Sequence, residues 1–315
     1  MTAMKCPTLK ELPPPPEGKV GWPWTEESQQ LPDKQPSGKP WPKVSIVTPS
    51  YNQADYIEET IRSMLLQGYP NLEYIIIDGK SSDHSVEIIK KYEPWLSYWV
   101  SESDRGQTHA VNKGFALCSG EILAWLNSDD TYEAGTLAAV AQKMSSDTSI
   151  DVLYGNVKIT DEIGKVMAEV RSVPFNSQAF LYETVHIVAQ SAVFWRRKML
   201  VEVGDVNEAL HYAMDRELLI RFMEHGARFS FIRKILGTYR CHNQAKTSSE
   251  QSRAELNSIP QIAAVTKRSD YKVRRLIYRL RQWSFLMVQG DLPYMVTRAF
   301  TKSFFPTPYD RLNNL

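Results

Sequence analysis

Cysteine is scarce. The chain of 315 residues has three, Cys6, Cys118 and Cys241, far apart and without a Cys-x-x-Cys pair. A disulfide framework and a cysteine zinc site are both unsupported, and a reducing compartment is the simpler reading. Excess charge is also missing: 37 basic against 36 acidic residues leave a formal +1, so no bulk attraction to nucleic acid is implied. No apolar run approaches the ~18 residues of a transmembrane helix. Met1–Lys10 lacks the apolar stretch of a signal peptide. Neither Gly-x-Gly-x-x-Gly nor Gly-x-x-x-x-Gly-Lys-[Ser/Thr] occurs, which removes the dinucleotide fingerprint and the P-loop.

Proline is abundant in one place. Ten of the 18 prolines lie in residues 1–43, among Trp22, Trp24 and Trp41. Such a leader is extended or disordered unless something holds it. The tryptophans suggest packing along a domain surface; the competing reading is a ligand for a proline-binding module. From Val44 the pattern alternates. Short apolar strands at Val44–Thr48, Glu73–Ile77, Tyr98–Ser101 and Ile122–Leu126 are separated by helical spacing. That alternation predicts an α/β fold, a mostly parallel central sheet with helices on both faces. Further strands are expected at Asp151–Tyr154, Ala192–Trp195 and Arg228–Ile232, with a helix over Asp215–His225. Residues 248–315 form a helical, basic amphipathic tail. Its segment Lys267–Arg281 holds seven basic residues and one acid, with Val273, Leu276, Ile277 and Leu280 at helical spacing. It reads either as a helix docked on the domain or as peripheral membrane contact through 265–290.

Ligands of open parallel sheets bind beyond the carboxyl ends of the strands. Four consecutive strand ends here carry polar clusters: Thr48-Pro-Ser-Tyr-Asn52, Asp78–Asp83, Ser101–Gly106 and Asn127–Asp130. Any one could be turn chemistry; four together predict a shared pocket. Asp129 and Asp130 end a buried strand and offer hard oxygen ligands for Mg²⁺ or Mn²⁺ bridging to a diphosphate. Asp130 could instead cap the next helix, though capping needs one acid and not a pair. Asp215 opens a helix and could be a general base or its cap, with Glu217 as a competitor. His242 could be a metal ligand or a surface histidine.

Val44-Ser-Ile-Val-Thr-Pro-Ser-Tyr-Asn52, Ile75-Ile-Ile-Asp-Gly79, Ser101-Glu-Ser-Asp-Arg-Gly106, Trp125-Leu-Asn-Ser-Asp-Asp130, Met214-Asp-Arg-Glu-Leu218 and Tyr239-Arg-Cys-His242 together resemble the family 2 glycosyltransferases of non-processive, bacterial type. The resemblance covers roughly 44–247 and implies the GT-A (nucleotide-diphospho-sugar transferase) fold, with 44–131 as nucleotide-binding half and 132–247 as acceptor half. Gly21-Trp-Pro-Trp24 is similar to leaders of some bacterial members. The resemblance implies that Thr48, Pro49 and Tyr51 line the nucleotide base and Asp78 hydrogen-bonds it. Arg105 lies near the nucleotide phosphates, Asp129 touches ribose or metal, Asp130 and His242 hold Mn²⁺ or Mg²⁺, and Asp215 is the base of an inverting transfer. Trp125, His186 and Gln190 are guesses for the acceptor side, where core packing is an equal reading. Implied partners are a nucleotide-sugar donor, a UDP-sugar first, and a glycan or lipid-linked acceptor, with no nucleic acid. The implied place is cytoplasmic or peripheral at the inner face of a membrane. The chain departs from the family pattern at Lys80, where a small residue is common, and Ala110-Val-Asn-Lys113 lacks an arginine before the asparagine. The Gln-x-x-Arg-Trp motif of processive synthases is absent. A sugar nucleotidyltransferase would need a glycine-rich loop after the first strand, which Thr48–Gln53 does not contain. A non-catalytic glycan- or nucleotide-binding module is the remaining alternative.

Overall fold

The computed structural model describes residues 4–182, 188–242 and 250–291. Its first half is strand and helix in alternation: β1 (Val44–Ser50), α1 (Ile57–Leu65), β2 (Leu72–Asp78), α2 (Ser85–Tyr92), β3 (Tyr98–Ser101), α3 (Gln107–Leu117) and β4 (Ile122–Trp125). β1 pairs in parallel with β2 and β4, and β2 with β3. Successive side chains of a strand face opposite ways, and both faces here are apolar. Leu72, Tyr74 and Ile76 enter the core under α1 and α2, while Ile75 and Ile77 enter the core under α3. α3 lies so close to β1 that a Cβ on Gly114 would sit 2.3 Å from a Val47 methyl.

The second half adds β5 (Thr131–Tyr132), α4 (Thr136–Ser146), β6 (Val152–Thr160), β7 (Val166–Val170), α5 (Ser177–Tyr182), β8 (Val193–Arg196), α6 (Arg197–Val203), α7 (Met214–Glu224) and β9 (Phe229–Arg240). The sheet runs β3-β2-β1-β4-β8-β6-β9-β5, with β7 on β6. β8 is antiparallel to β4 and β6, whereas β6 and β9 are parallel. The strand expected at Arg228–Ile232 is the start of a longer one, because β9 continues through Gly237 to reach β5. β5, β7, α5 and α6 have no counterpart in the periodicity; β5 is two residues long, and β7 is half-exposed and pairs only on one side. Three helices close the described chain: α8 (Glu250–Ser258), α9 (Pro260–Thr266) and α10 (Tyr271–Val288).

The leader is packed. Leu12, Trp24 and Trp41 are buried, and Trp22 donates its indole N–H to the Tyr132 carbonyl at 2.8 Å. Its anchor is Arg62 of α1, fully buried. The guanidinium donates to the carbonyls of Pro13, Pro23 and Trp24 at 2.8–3.1 Å and to the Tyr92 hydroxyl at 3.2 Å. Proline-rich backbone has carbonyls with no ladder partner, and this one cation collects three of them.

Candidate active site

The carboxyl ends of β1, β2, β3 and β4 open onto one cleft of ≈ 1720 Å³. A single drug-sized ligand needs ~300–1,000 Å³, so the cleft has room for more than one such ligand. The register places Ser50, Asp78 and Ser101 side by side across three strands. Asp78 is fully buried and accepts from the Ser101 hydroxyl at 2.7 Å and from the Ser81 N–H and hydroxyl at 2.9 and 2.5 Å. Ser81 accepts the Asn52 N–H at 2.8 Å, Asn52 Oδ1 accepts the Ser82 N–H at 2.8 Å, and Asp83 accepts the Ala54 N–H at 2.9 Å. The loops after β1 and β2 are thus stitched into one wall. Pro49 and a largely exposed Tyr51 present faces to the cleft. Thr48 lies behind them, buried against the Tyr74 hydroxyl, and Asp78 lies behind Ser81. Lys80 lines the cleft at φ 65°, a left-handed conformation costly for any residue with a Cβ, which is a reason for a small residue there. Arg105 is not in the lining; it pairs with Glu208 at 2.6 Å at an exposed position.

Past β4 the two acids part. Asp129 is on the cleft wall, and its Oδ2 lies 2.9 Å from His242 Nε2. The imidazole packs at a tilt against Tyr56, centroids 4.7 Å apart. Asp130, expected as the metal ligand, is 1% exposed and off the wall. Its Oδ1 accepts the Arg240 N–H at 3.0 Å and its Oδ2 faces the Asn127 amide at 3.4 Å. Burial, with the Asp129 charge beside it, pushes its carboxyl well above the usual range. Asp130 does not cap the next helix, because α4 starts at Thr136 with Gly135 as its cap residue. Among the described residues no group of three or more His, Cys, Asp or Glu is arranged to hold a metal. The carboxylate–imidazole pair suits a divalent ion only if a ligand's phosphate oxygens complete the shell, the usual arrangement for a cation bound with a phosphorylated substrate.

Asn127 ties the cleft floor together. Its Oδ1 accepts from Gln107 at 2.7 Å, and its amide donates to Gln190 at 3.1 Å; Gln190 in turn donates to the Trp125 carbonyl at 2.7 Å. Gln190 is therefore on the cleft. Trp125 touches it but is mainly core, edge-on to Phe115 and Trp195 at 6.0 and 5.6 Å. His186 lies outside the described residues.

Asp215 is the second residue of α7 and lines the cleft half-buried; desolvation holds its carboxyl above the ordinary range. Glu217 is engaged by Arg221 at 2.8 Å and is not in the lining. The N-cap position of α7 is Ala213, whose methyl side chain cannot accept a hydrogen bond. Glu255 of α8 instead holds the turn ahead of the helix, accepting the backbone N–H groups of His211, Tyr212 and Ala213 at 2.7–3.0 Å. Burial acts against the Glu255 charge, yet these donors hold its carboxyl below the usual range. Glu255 has no local sequence signal, and neither do Leu256, Tyr271 and Arg275, which bring α8 and α10 to the cleft wall. All sit in segments whose own pattern reads as polar or basic helix. Gln107 and Asn127 could have been singled out, since both adjoin strand-end clusters.

The model of the family described as "Glycosyl transferase family 2" matches residues 45–204, just over half of the chain. An uncharacterised glycosyltransferase of Mycobacterium tuberculosis is 31% identical over 183 residues, 57% of this chain and 68% of that one. The O-antigen biosynthesis protein RfbC of Myxococcus xanthus is 28% identical over 191 residues, 58% of this chain but 14% of that protein. Among solved structures, residues 1–349 of S. aureus TarS in complex with UDP-GlcNAc superpose with a TM-score of 0.55 at 20% identity, covering 72% of this chain and 67% of that one. The mannosyltransferase PcManGT of Pyrobaculum calidifontis, in complex with GDP-Man and Mn²⁺, gives 0.56 at 18% identity, covering 87% and 86%. At these identities the superpositions establish the GT-A fold. With the family model, they place the chain in glycosyltransferase family 2, as an enzyme that transfers sugars.

Proposed function

We propose that the chain transfers one sugar from a nucleotide-sugar donor to an acceptor hydroxyl, with inversion and with the help of Mn²⁺ or Mg²⁺, in the assembly of a bacterial glycan. The observation that carries this reading is the pair of carboxylates on one cleft: Asp129, backed by the buried His242, and Asp215 at the start of α7. Pro49 and Tyr51 form the wall for the nucleotide base, held by Thr48 and Asp78 behind them. Arg105 stands at the rim of the donor end. Asp129 would hold the cation, with the buried His242 behind it, while Asp130 is tied to Arg240 at the turn to β9. When bound, the ion neutralises charge on the departing nucleoside diphosphate. The binding of UDP-GlcNAc by TarS and of GDP-Man with Mn²⁺ by PcManGT supports a nucleoside-diphosphate donor and a divalent ion. A UDP-sugar is the first donor to try.

Asp215 accepts the proton of the acceptor hydroxyl as its oxygen attacks the anomeric carbon and the bond to the diphosphate oxygen breaks. Attack from the face opposite the leaving group inverts that carbon. The raised basicity of the part-buried carboxyl serves this role, because a base works best with a pKa drawn toward the working pH. The acceptor, a glycan or a lipid-linked sugar, fits the side walled by Gln190 and α8–α10.

The test is turnover of UDP- and GDP-sugars with Mn²⁺ by the full chain. Asp215→Asn should lower kcat by about 10²–10⁴-fold. Asp129→Ala should weaken Mn²⁺ binding about tenfold or more. Turnover of no donor, or turnover indifferent to both changes, would refute the reading.

A further inference from the structure

We propose that α10 seats this protein on an anionic lipid bilayer through its outward face, bringing the cleft to the membrane surface; the link to a lipid-linked acceptor rests on the function proposed above. The helix has two opposed faces. Its inner one is docked: Tyr271 and Tyr278 pack on Tyr182 at 5.6 and 5.5 Å, Phe285 meets Phe231 edge-on at 6.1 Å, and Leu286 is buried. At about 100° per residue the opposite side carries Val273, Leu276, Ile277, Leu280, Trp283 and Met287. All six are exposed; Leu276 and Leu280, at its centre, are each 56% exposed. A stripe of this length turned away from the core is not explained by folding.

Charge selects the occupant. The 18 residues of α10, YKVRRLIYRLRQWSFLMV, contain five basic residues and no acid. The same helical spacing puts Lys272 and Arg279 along one edge of the stripe and Arg274 and Arg281 along the other. An apolar stripe bordered on both sides by cations, with a tryptophan among its apolar residues, matches the boundary between acyl chains and anionic headgroups. A second copy of the chain would set the same cations against each other, and nucleic acid would leave the stripe in water. No helix among the described residues is long and apolar enough to cross a membrane, so the fit is to a helix lying in the surface plane. Tyr271 and Arg275 of this same helix line the cleft. A helix is ~10–12 Å across with its side chains, so a seated α10 holds the acceptor side within about that distance of the lipid.

The experiment is co-sedimentation of the full chain with vesicles of phosphatidylcholine plus phosphatidylglycerol, and with phosphatidylcholine alone. The expected result is binding to the anionic vesicles, weakened by high salt and weakened about tenfold or more by Leu276→Glu with Leu280→Glu. The variant's unfolding temperature and nucleotide-sugar turnover should match the parent, since both leucines are exposed and away from the cleft lining. Lys272→Glu with Arg281→Glu gives an arm that leaves the apolar stripe intact, with the same loss expected. The proposal is overturned by absence of binding, by equal binding to neutral vesicles, by binding that both variants retain, or by a dimer in solution that the leucine variant dissolves while vesicles stay unbound. Vesicle binding is read without turnover, so its failure leaves the transferase reading standing, and the reverse.

Discussion

Asp215 and Glu255 come from different helices, and the charge of Glu255 acts on the Asp215 carboxyl. Asp215, the proposed base, sits part-buried at the start of α7, and desolvation raises its pKa, with the Glu255 charge adding to the rise. A base must be deprotonated to act. Activity should therefore fall as pH drops, and the midpoint of that fall should lie above the ordinary carboxylate range. Glu255→Gln removes a charge that raises the Asp215 pKa, so the acidic limb of the pH–kcat profile should move to lower pH. Glu255→Ala also releases three backbone N–H groups ahead of α7 and should lower kcat about tenfold or more by misplacing the base. A Glu255 that merely stabilised the fold would change the unfolding temperature and leave the profile in place. The acids after β4 separate in the same way: Asp129→Ala or His242→Ala should weaken Mn²⁺ binding, whereas Asp130→Asn should act mainly on stability, because its carboxyl is tied to Arg240 behind the wall.

The leader and α1 are coupled elements. Arg62 takes three carbonyls from the leader while stacking over Trp24 at 5.5 Å. Gly68, at φ +64°, lets the chain after α1 turn beneath the Gln29 carbonyl, where a Cβ would lie 2.3 Å from that oxygen. Arg62→Ala leaves three buried or part-buried acceptors without their donor. It should cost about 3 kcal/mol or more, read as a lower denaturant midpoint. It should also expose the leader to limited proteolysis earlier than the domain. An unchanged midpoint would mean that the leader is held by its tryptophans alone.

For the whole molecule the cleft is a junction of three parts: the parallel half of the sheet, the strands and α7 of the second half, and the helices α8–α10. A ligand bound there joins all three and should stabilise the chain as a unit. Saturation with a nucleoside diphosphate at about one hundred times its Kd adds about 2.7 kcal/mol. The corresponding rise in unfolding temperature should appear with Mn²⁺ and be lost on chelation. A rise that is the same with and without the ion would argue against Asp129, backed by His242, as its holder. Burial pushes the thiols of Cys6 and Cys118 up to about 12 and that of Cys241 up to about 11, so none offers a thiolate near neutral pH.

Periodicity and strand-end composition determined the alternating half of the fold, because a strand buried on both faces shows as a continuous apolar run and the turn residues after it stand out. The strands expected at Val44–Thr48 and Glu73–Ile77 follow from that, each short of the observed bounds, and so does the location of a polar cleft beyond them; Tyr98–Ser101 is a part-exposed edge strand with a weaker signal. The motif Asn127–Asp130 was legible as a pair of acids, but which one faces a ligand was not. A turn of one residue rotates a side chain from the cleft to the core, and only the contact of Asp130 with Arg240, 110 positions away, decides that rotation. Glu255 and Arg275 are part of the same lesson. Their helices carry no pattern that names a distant loop or a cleft, and their roles arise from packing across the chain. The basic helix α10 was ambiguous for a related reason: its spacing defines two faces, and only docking on Tyr182 and Phe231 shows which of them is left to the solvent.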